Sequence, residues 1–143
     1  MTSQARGEAL TAGAGEGPAL LLDSPLSFWG GVDDEGVIVD VHHPQEGVSV
    51  VGTVLVLPGG RGSSSSSSSL AELIRAGTGP RAIVLHRADA IIAIGSIVAG
   101  ELYDVHVPVV VVTPDLLTGL VTGDRLQVAV DGHRAAVSGQ VES

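Results

Sequence analysis

Three continuous apolar runs of strand length alternate with two helical segments in the middle of this chain. The runs are Gly52–Pro58, Arg81–His86 and Val107–Val112, and the segments with helical spacing between them are Ser69–Gly77 and Asp89–Tyr103, with Asp89 as the expected N-cap. Uninterrupted apolar strands are typical of strands that are covered on both faces. The order strand–helix–strand–helix–strand therefore predicts a parallel α/β unit with right-handed crossovers.

The two ends of the chain predict a second, β-rich part. Near the N-terminus, GAGEG separates two short apolar stretches and predicts a turn, which leaves open a hairpin or two separate barrel strands. Near the C-terminus, a turn at Asp131–Gly132 should join two strands, and one short strand is expected at Val37–Val39. We expect an α/β fold with a barrel-like β part: a flexible tail at 1–5, one domain over 6–138 and a C-terminal tail at 139–143.

The composition of the chain excludes several classes of function. The net charge of −9, with seven arginines and no lysine, leaves no basic face for nucleic-acid phosphates, and an anionic membrane would repel it. The absence of cysteine excludes disulfides, cysteine nucleophiles and an all-cysteine iron–sulfur cluster held by this chain alone. No signal-peptide pattern is visible, and the longest apolar stretch is about half a membrane span. We expect a soluble, cytoplasmic protein.

Seven consecutive serines, Ser63–Ser69, follow the first apolar run and the glycine-rich turn PGGRG. A flexible linker is flanked by unpatterned polar sequence, whereas this run leads from a buried strand into an amphipathic helix. A strand, a glycine turn and a helix N-terminus together favour anion binding, because free N–H groups and the helix dipole attract negative charge. Two interpretations stay open: a serine-rich helix cap without chemistry, or a site for a carboxylate or a serine alkoxide. The turn lacks both the Walker lysine and the third glycine of a dinucleotide fingerprint.

The histidines and the acidic residues 33–35 give weaker indications of a functional site. Adjacent side chains such as His42 and His43 point in different directions in most backbones, so loop histidines are favoured over a shared metal site; contact with a partner's active site is the alternative. Asp33–Glu35 lacks the alternating ligands of a calcium loop and predicts a solvated turn. His86 and His106 are expected to be structural.

Four motifs, in this order, resemble the small subunit, or swivelling domain, of aconitase X: DSPLSFWGGVD, HHPQEG, GGRGSSSSS and RAIVLHRADAIIAIGSIVAGELY followed by VPVVVV. The resemblance covers about Arg6 to Val130 and implies a swivelling β/β/α domain like the C-terminal domain of aconitases. In ordinary aconitases, the serine after the second glycine of Gly-x-Gly-Ser-Ser is the catalytic base, and Ser63 matches it. Ordinary aconitases also place a carboxylate-binding arginine where this chain has Ser65.

The resemblance implies a hydro-lyase subunit, which removes water from a β-hydroxy acid. A serine base takes a C–H proton, and an iron or iron–sulfur centre on the large subunit coordinates the leaving hydroxide. This chain would hold no metal, would close over the substrate as a lid, and would be inactive without its large subunit. The implied substrate contacts are Arg61, Gly62, Ser64, Ser65, Ser27, Trp29 and Gly30.

The substrate is open between two activities of the family. SFWGG and GRGSSSSS resemble the branch that dehydrates cis-3-hydroxy-L-proline, which we favour, and the alternative is mevalonate 5-phosphate. Phe28 and Trp29 would either wall a small ring or plug a small core. A non-catalytic module that holds a small anion is the alternative from another class of function.

Overall fold

The computed structural model describes residues 2–140, and within them the chain forms a seven-stranded closed barrel with two α-helices. The strands are β1 (Thr2–Ala9), β2 (Ala14–Leu21), β3 (Val54–Leu57), β4 (Ala82–Leu85), β5 (Val109–Val111), β6 (Arg125–Asp131) and β7 (Arg134–Gln140). The helices are α1 (Ser65–Ala76) and α2 (Ala90–Tyr103), and a short 3₁₀ helix spans Pro114–Leu117. Around the barrel the order is β1-β5-β4-β3-β2-β6-β7. Neither α-helix is long and apolar enough to cross a bilayer.

The central α/β unit is confirmed, since β3, β4 and β5 are parallel neighbours connected through α1 and α2. Asp89 caps α2 as predicted, because its carboxylate accepts the N–H of Ile92. Gly77 ends α1 in the left-handed conformation, with φ 76°. The helix α1 begins at Ser65 rather than at Ser69, so most of the serine run is helical.

The strand residues alternate between two cores, which explains the uninterrupted apolar runs. One core fills the barrel and consists mainly of alanine and valine: Ala5, Ala19, Val54, Val56, Ala82, Val84, Val110, Val112, Leu126, Val128, Ala135 and Val137. The intervening strand residues, such as Leu55, Leu57, Ile83 and Leu85, share the other core with the buried faces of α1 and α2. Because the interior of a small barrel must be filled by side chains in limited space, the interior positions take small residues.

The N-terminal prediction was wrong in one respect and correct in another. β1 pairs with β5 and β7, while β2 pairs with β3 and β6, so the two are separate barrel strands and not a hairpin. The GAGEG segment lies in β2 rather than in a turn, apart from its first glycine. A Cβ at Gly15 or Gly17 would collide with the backbone carbonyls of Arg81 and Gly52, respectively. These glycines therefore permit close approach of neighbouring backbone, a recognised role of glycine in strands.

The predicted tails are shorter than expected. β1 begins at Thr2 and pairs with β7 from Gln140 onward, so residues 2–5 and 139–140 belong to the barrel, because their ladder closes it. The remainder of the predicted C-terminal tail, 141–143, lies outside the described residues, as does Met1. The β6–β7 turn is at Gly132–His133, one residue later than predicted, since Asp131 pairs with Arg134.

A long segment, 22–53, connects β2 to β3 and covers the barrel beside α1. It contains no regular strand, although all of it is described: Val37 and Ile38 of the predicted Val37–Val39 strand make only isolated bridges. Several of its apolar side chains are nevertheless buried in the core that contains the helices, including Leu26, Phe28 and Ile38. The segment is thus anchored by packing rather than by a ladder.

Candidate active site

The turn between β3 and α1, residues 58–64, is called the serine turn here and lies at the carboxyl ends of the parallel strands. β3 ends at Leu57, the turn follows, and α1 begins at Ser65; ligands of parallel sheets bind outside these carboxyl ends. The covering segment runs alongside, since Leu26 donates its N–H to the Gly59 carbonyl at 3.3 Å and accepts the N–H of Arg61 at 3.2 Å. These bonds bring Ser27 and its neighbours beside the turn.

Gly62 has a backbone conformation and a neighbourhood that only glycine suits. Its φ is +105°, and a Cβ there would lie 2.6 Å from Ser27 Oγ. That hydroxyl is already committed, because it donates to the Trp29 carbonyl at 2.8 Å and lies 3.4 Å from Ser66 Oγ. Ser27 therefore supports the turn through its hydroxyl, and its role as a substrate contact stays a prediction.

The seven serines have different environments. Ser66 is buried, and the Ser67 hydroxyl donates to the Ile91 carbonyl at 2.6 Å, which ties α1 to α2. Ser69 donates back to the Ser65 carbonyl at 3.2 Å. The exposed members of the run are Ser63, Ser64, Ser65 and Ser68. The run therefore combines packing positions, where only a small side chain fits, with outward-facing hydroxyls.

Ser63 caps the first turn of α1. Its Oγ accepts the N–H of Ser65 at 3.3 Å, whereas Ser64, the residue directly before the helix, makes no side-chain cap. Among residues 2–140, no acceptor takes the backbone N–H of Gly62, Ser63 or Ser64. The positive end of the helix thus presents free donors next to an exposed hydroxyl, an arrangement that attracts a carboxylate and stabilises negative charge on Ser63 Oγ.

A cleft of about 780 Å³ lies between α1 and the covering segment. Trp29, Gly30 and Ser65 line it together, so the structure brings these three predicted site residues to one cleft, whereas its lining does not include Arg61, Gly62, Ser63 or Ser64. Trp29 is 60% exposed, whereas Phe28 is 1% exposed and belongs to the core. Phe28 therefore packs in the core, whereas the exposed Trp29 lines the cleft.

Two residues beside the turn were not identified as site residues from the sequence. The guanidinium of Arg87 lies against Gly59, because a Cβ there would be 3.0 Å from Arg87 Nε. Asp89, predicted only as a helix cap, also accepts the N–H of Gly60 at 3.1 Å. The signal available in the sequence was position: both directly follow β4, at the sheet edge that carries the serine turn.

The histidines make structural contacts. His43 is buried, with Nε2 3.3 Å from the Ser24 carbonyl and Nδ1 accepting the N–H of Gln45 at 3.0 Å. Both of its ring nitrogens are therefore engaged, while His42 is exposed.

Two further histidines lie elsewhere in the fold. Nδ1 of His86 is 3.0 Å from the Val112 carbonyl, and Nε2 of His106 is 3.1 Å from Asp104 Oδ1. Each thus contacts one acceptor, and the structural role expected for both stays a prediction.

The acidic residues 33–35 form a turn. Asp33 Oδ1 accepts the N–H groups of Glu35 and Val37, as expected of a turn. In the described range 2–140, no three His, Asp or Glu side chains are placed to hold a metal ion together. These residues therefore do not fit an iron centre.

Comparison with known proteins identifies the family. Residues 4–138 match the family model of the aconitase X swivel domain. Cis-3-hydroxy-L-proline dehydratase from Pseudomonas aeruginosa is 46% identical over 101 residues, which are 70% of this chain but only 17% of that dehydratase. The phosphomevalonate dehydratase small subunit from Pyrococcus furiosus is 36% identical over 133 residues, 92% of both chains. The chain thus spans about a sixth of the first relative and nearly all of the second.

The similarity to a solved structure supports the same family. The crystal structure of aconitase X from Thermococcus kodakaraensis in its holo-form superposes with a TM-score of 0.79 and 32% sequence identity, covering 94% of this chain and 97% of that one. The predicted fold class is therefore confirmed. With a family match over nearly its full length, a close fold neighbour and the glycine–serine turn in place, this chain belongs to the aconitase X swivel domain family.

Proposed function

We propose that this chain is the small subunit of a heteromeric aconitase X-type hydro-lyase and that Ser63 is its catalytic base. The observation that carries the proposal is the position of Ser63, exposed at the N-terminus of α1 with its Oγ accepting the N–H of Ser65 at 3.3 Å. The relatives support the class of reaction, since both are named dehydratases.

The chemistry explains why a serine needs this environment. Dehydration of a β-hydroxy acid removes a proton from one carbon and hydroxide from its neighbour, so a base must lie within hydrogen-bond reach of the C–H. A neutral hydroxyl is a poor base, and its oxygen acts only when negative charge on it is stabilised. At Ser63 that stabilisation comes from the Ser65 N–H and from the positive end of α1.

Four of the remaining predicted site residues, Arg61, Gly62, Ser64 and Ser65, adjoin this base in the chain. The free N–H groups of Gly62, Ser63 and Ser64 suit a substrate carboxylate, and Arg61 is exposed beside them. The hydroxyls of Ser64 and Ser65 add donors. Together they replace the arginine that ordinary aconitases have at the position of Ser65.

Trp29 and Gly30 would form the far wall. They line the 780 Å³ cleft with Ser65, and an exposed indole offers a flat apolar surface to a small ring. Gly30 has φ +81°, and a Cβ added there would meet no atom within 4 Å, so this residue leaves open space at the cleft mouth.

The partner would be a larger chain that covers the turn. The Pyrococcus furiosus relative is named a small subunit, which supports a separate large subunit. The iron or iron–sulfur centre of the enzyme would belong to that partner, because the residues described here, 2–140, place no three His, Asp or Glu side chains together. Closure over the exposed turn would exclude water from the site. The cytoplasmic location expected from the sequence stays a prediction.

We favour cis-3-hydroxy-L-proline as substrate. The identity with the hydroxyproline dehydratase is 46%, against 36% with the phosphomevalonate dehydratase small subunit. The cleft is also lined by Asp33, Asp34 and the ion pair of Glu72 with Arg75, and the resulting negative net charge disfavours a phosphate and suits a cationic ring nitrogen. Mevalonate 5-phosphate is the second candidate, favoured by the match over 92% of that small subunit.

The test is reconstitution with an aconitase X large subunit and assays on both substrates. Ser63→Ala should lower turnover by about 10²-fold or more, the usual contribution of a general base, while the two chains still assemble. Ser49→Ala is the matched control, because Ser49 Oγ also accepts the N–H two residues ahead, that of Val51, at 3.2 Å. Turnover that survives in Ser63→Ala would show that another group is the base. A wild-type pair inactive on both substrates would favour the small-anion binding module.

A further inference from the structure

Asp89 uses its two carboxylate oxygens for two different backbone segments. Oδ1 accepts the N–H of Ile92 at 3.0 Å and so caps α2. Oδ2 accepts the N–H of Gly60 at 3.1 Å, within the serine turn. A single side chain therefore connects the first turn of α2 to the segment that carries Ser63.

The contact is close on both sides. A Cβ at Gly60 would lie 2.8 Å from Asp89 Oδ2 and 2.9 Å from Ile92 Cδ1, so the turn lies directly against the capped end of α2. Ile92 is 2% exposed, and a Cβ at Gly95 would be 2.9 Å from the Ser67 carbonyl. The N-terminal end of α2 is therefore held by packing, and the Asp89 carboxylate fixes the turn relative to this end of the helix.

We propose that Asp89 is a positioning residue that holds the serine turn in place for the reaction, in addition to capping α2. It acts through Gly60, whose N–H it accepts, and so on the backbone that leads through Gly62 to Ser63. Its effect on turnover rests on the proposed function of Ser63, whereas its effect on the turn itself does not.

The chemistry of the side chain suggests the decisive substitution. A carboxylate accepts at both oxygens, while an asparagine amide accepts at one and donates at the other. In Asp89→Asn the amide oxygen can cap α2, but the amide nitrogen would then face the Gly60 N–H. Asp89→Ser should also cap α2, and its shorter side chain does not reach Gly60. Both variants therefore keep the cap on α2 and remove the hydrogen bond between Asp89 and Gly60, which we call the clamp.

The experiment combines amide hydrogen exchange at Gly60 in the full chain, thermal unfolding, and kcat and KM of the reconstituted pair. In Asp89→Asn and Asp89→Ser, exchange at Gly60 should rise by about tenfold or more, because its N–H loses its acceptor. kcat should fall by about 10- to 100-fold, the range expected from a small displacement of a reacting group, with KM changed by less than about threefold. The Tm should stay near the wild-type value.

Asp104→Asn is the matched control. Asp104 lies at the opposite end of α2 with φ 56°, a conformation that asparagine also adopts. The substitution Asp104→Asn removes one negative charge from the same helix, as Asp89→Asn does, and should change neither the amide exchange at Gly60 nor kcat.

Three results would overturn the proposal. One is unchanged exchange at Gly60 in Asp89→Asn, and another is increased exchange with kcat unchanged. The third is recovery of full kcat in Asp89→Ser, which would reduce Asp89 to a helix cap. If the wild-type pair turns over neither substrate, the proposed function fails, and the exchange at Gly60 still decides whether the clamp exists.

Discussion

Gly62→Ala should destabilise the protein by displacing the support of the serine turn. Two costs combine at this position. An alanine at φ +105° costs about 1–2 kcal/mol in backbone strain. Its Cβ would also lie 2.6 Å from Ser27 Oγ, so that hydroxyl must rotate away from the Trp29 carbonyl, and loss of a hydrogen bond costs about 1 kcal/mol.

The sum is about 2–3 kcal/mol in the free energy of unfolding. For a chain of this length each kcal/mol lowers the Tm by about 3 °C, which predicts a decrease of about 6–9 °C. The assay is thermal or urea unfolding of the isolated chain, with kcat of the reconstituted pair measured below the transition. Turnover should fall even in fully folded Gly62→Ala, because the turn that carries Ser63 has moved.

Gly47→Ala is the matched control. Gly47 has φ +87°, and nothing lies within 4 Å of a Cβ there, so only the conformational cost of about 1–2 kcal/mol applies. In a Ser27→Ala background the contact at 2.6 Å is removed and only the Cβ of residue 27, at 3.3 Å, remains close, so the excess cost of Gly62→Ala over Gly47→Ala should shrink. Equal losses for Gly62→Ala and Gly47→Ala in the wild-type background would refute the argument from crowding.

Three further predictions concern residues that line the cleft. Phe28→Ala should cost about 3–5 kcal/mol of stability in chemical unfolding, since Phe28 is 1% exposed. Trp29→Ala, at a side chain 60% exposed, should change stability by less than about 0.5 kcal/mol and instead raise KM of the reconstituted pair. A hydrogen bond from the Arg75 guanidinium, reinforced by its charge, lowers the pKa of Glu72. The stabilisation by this exposed pair is therefore present above the ordinary glutamate pKa and lost as pH falls through the lowered one, so the small Tm difference between Glu72→Gln and wild type should vanish in acid.

The central α/β unit could be predicted from the sequence because a strand covered on both faces is apolar at every position. That pattern is local, and the runs at β3, β4 and β5 show it directly. Asp89 as the cap of α2 and Gly77 as the stop of α1 are also local signals, since each depends on a hydrogen bond or a backbone angle within one turn of helix.

The roles of the individual serines could not be predicted in the same way. Ser63, Ser66 and Ser67 are identical in the sequence, yet one is exposed, one is buried and one is bonded to α2. The difference arises from where helix rotation and the neighbouring elements place each hydroxyl. The α1 start was also missed, because serine is a weak helix former on its own and the packing of α1 on α2 overrides that preference.

The local residue pattern predicts the order of the central strands and helices, the glycine–serine turn at the end of β3, and the absence of cysteine ligands, because each is a property of consecutive residues. The pairing of β1 and β2 with distant strands, the burial of Phe28 beside an exposed Trp29, and the contact of Asp89 with Gly60 became visible in the folded chain. Those outcomes depend on contacts between residues far apart in the chain, which only barrel closure and helix packing bring together.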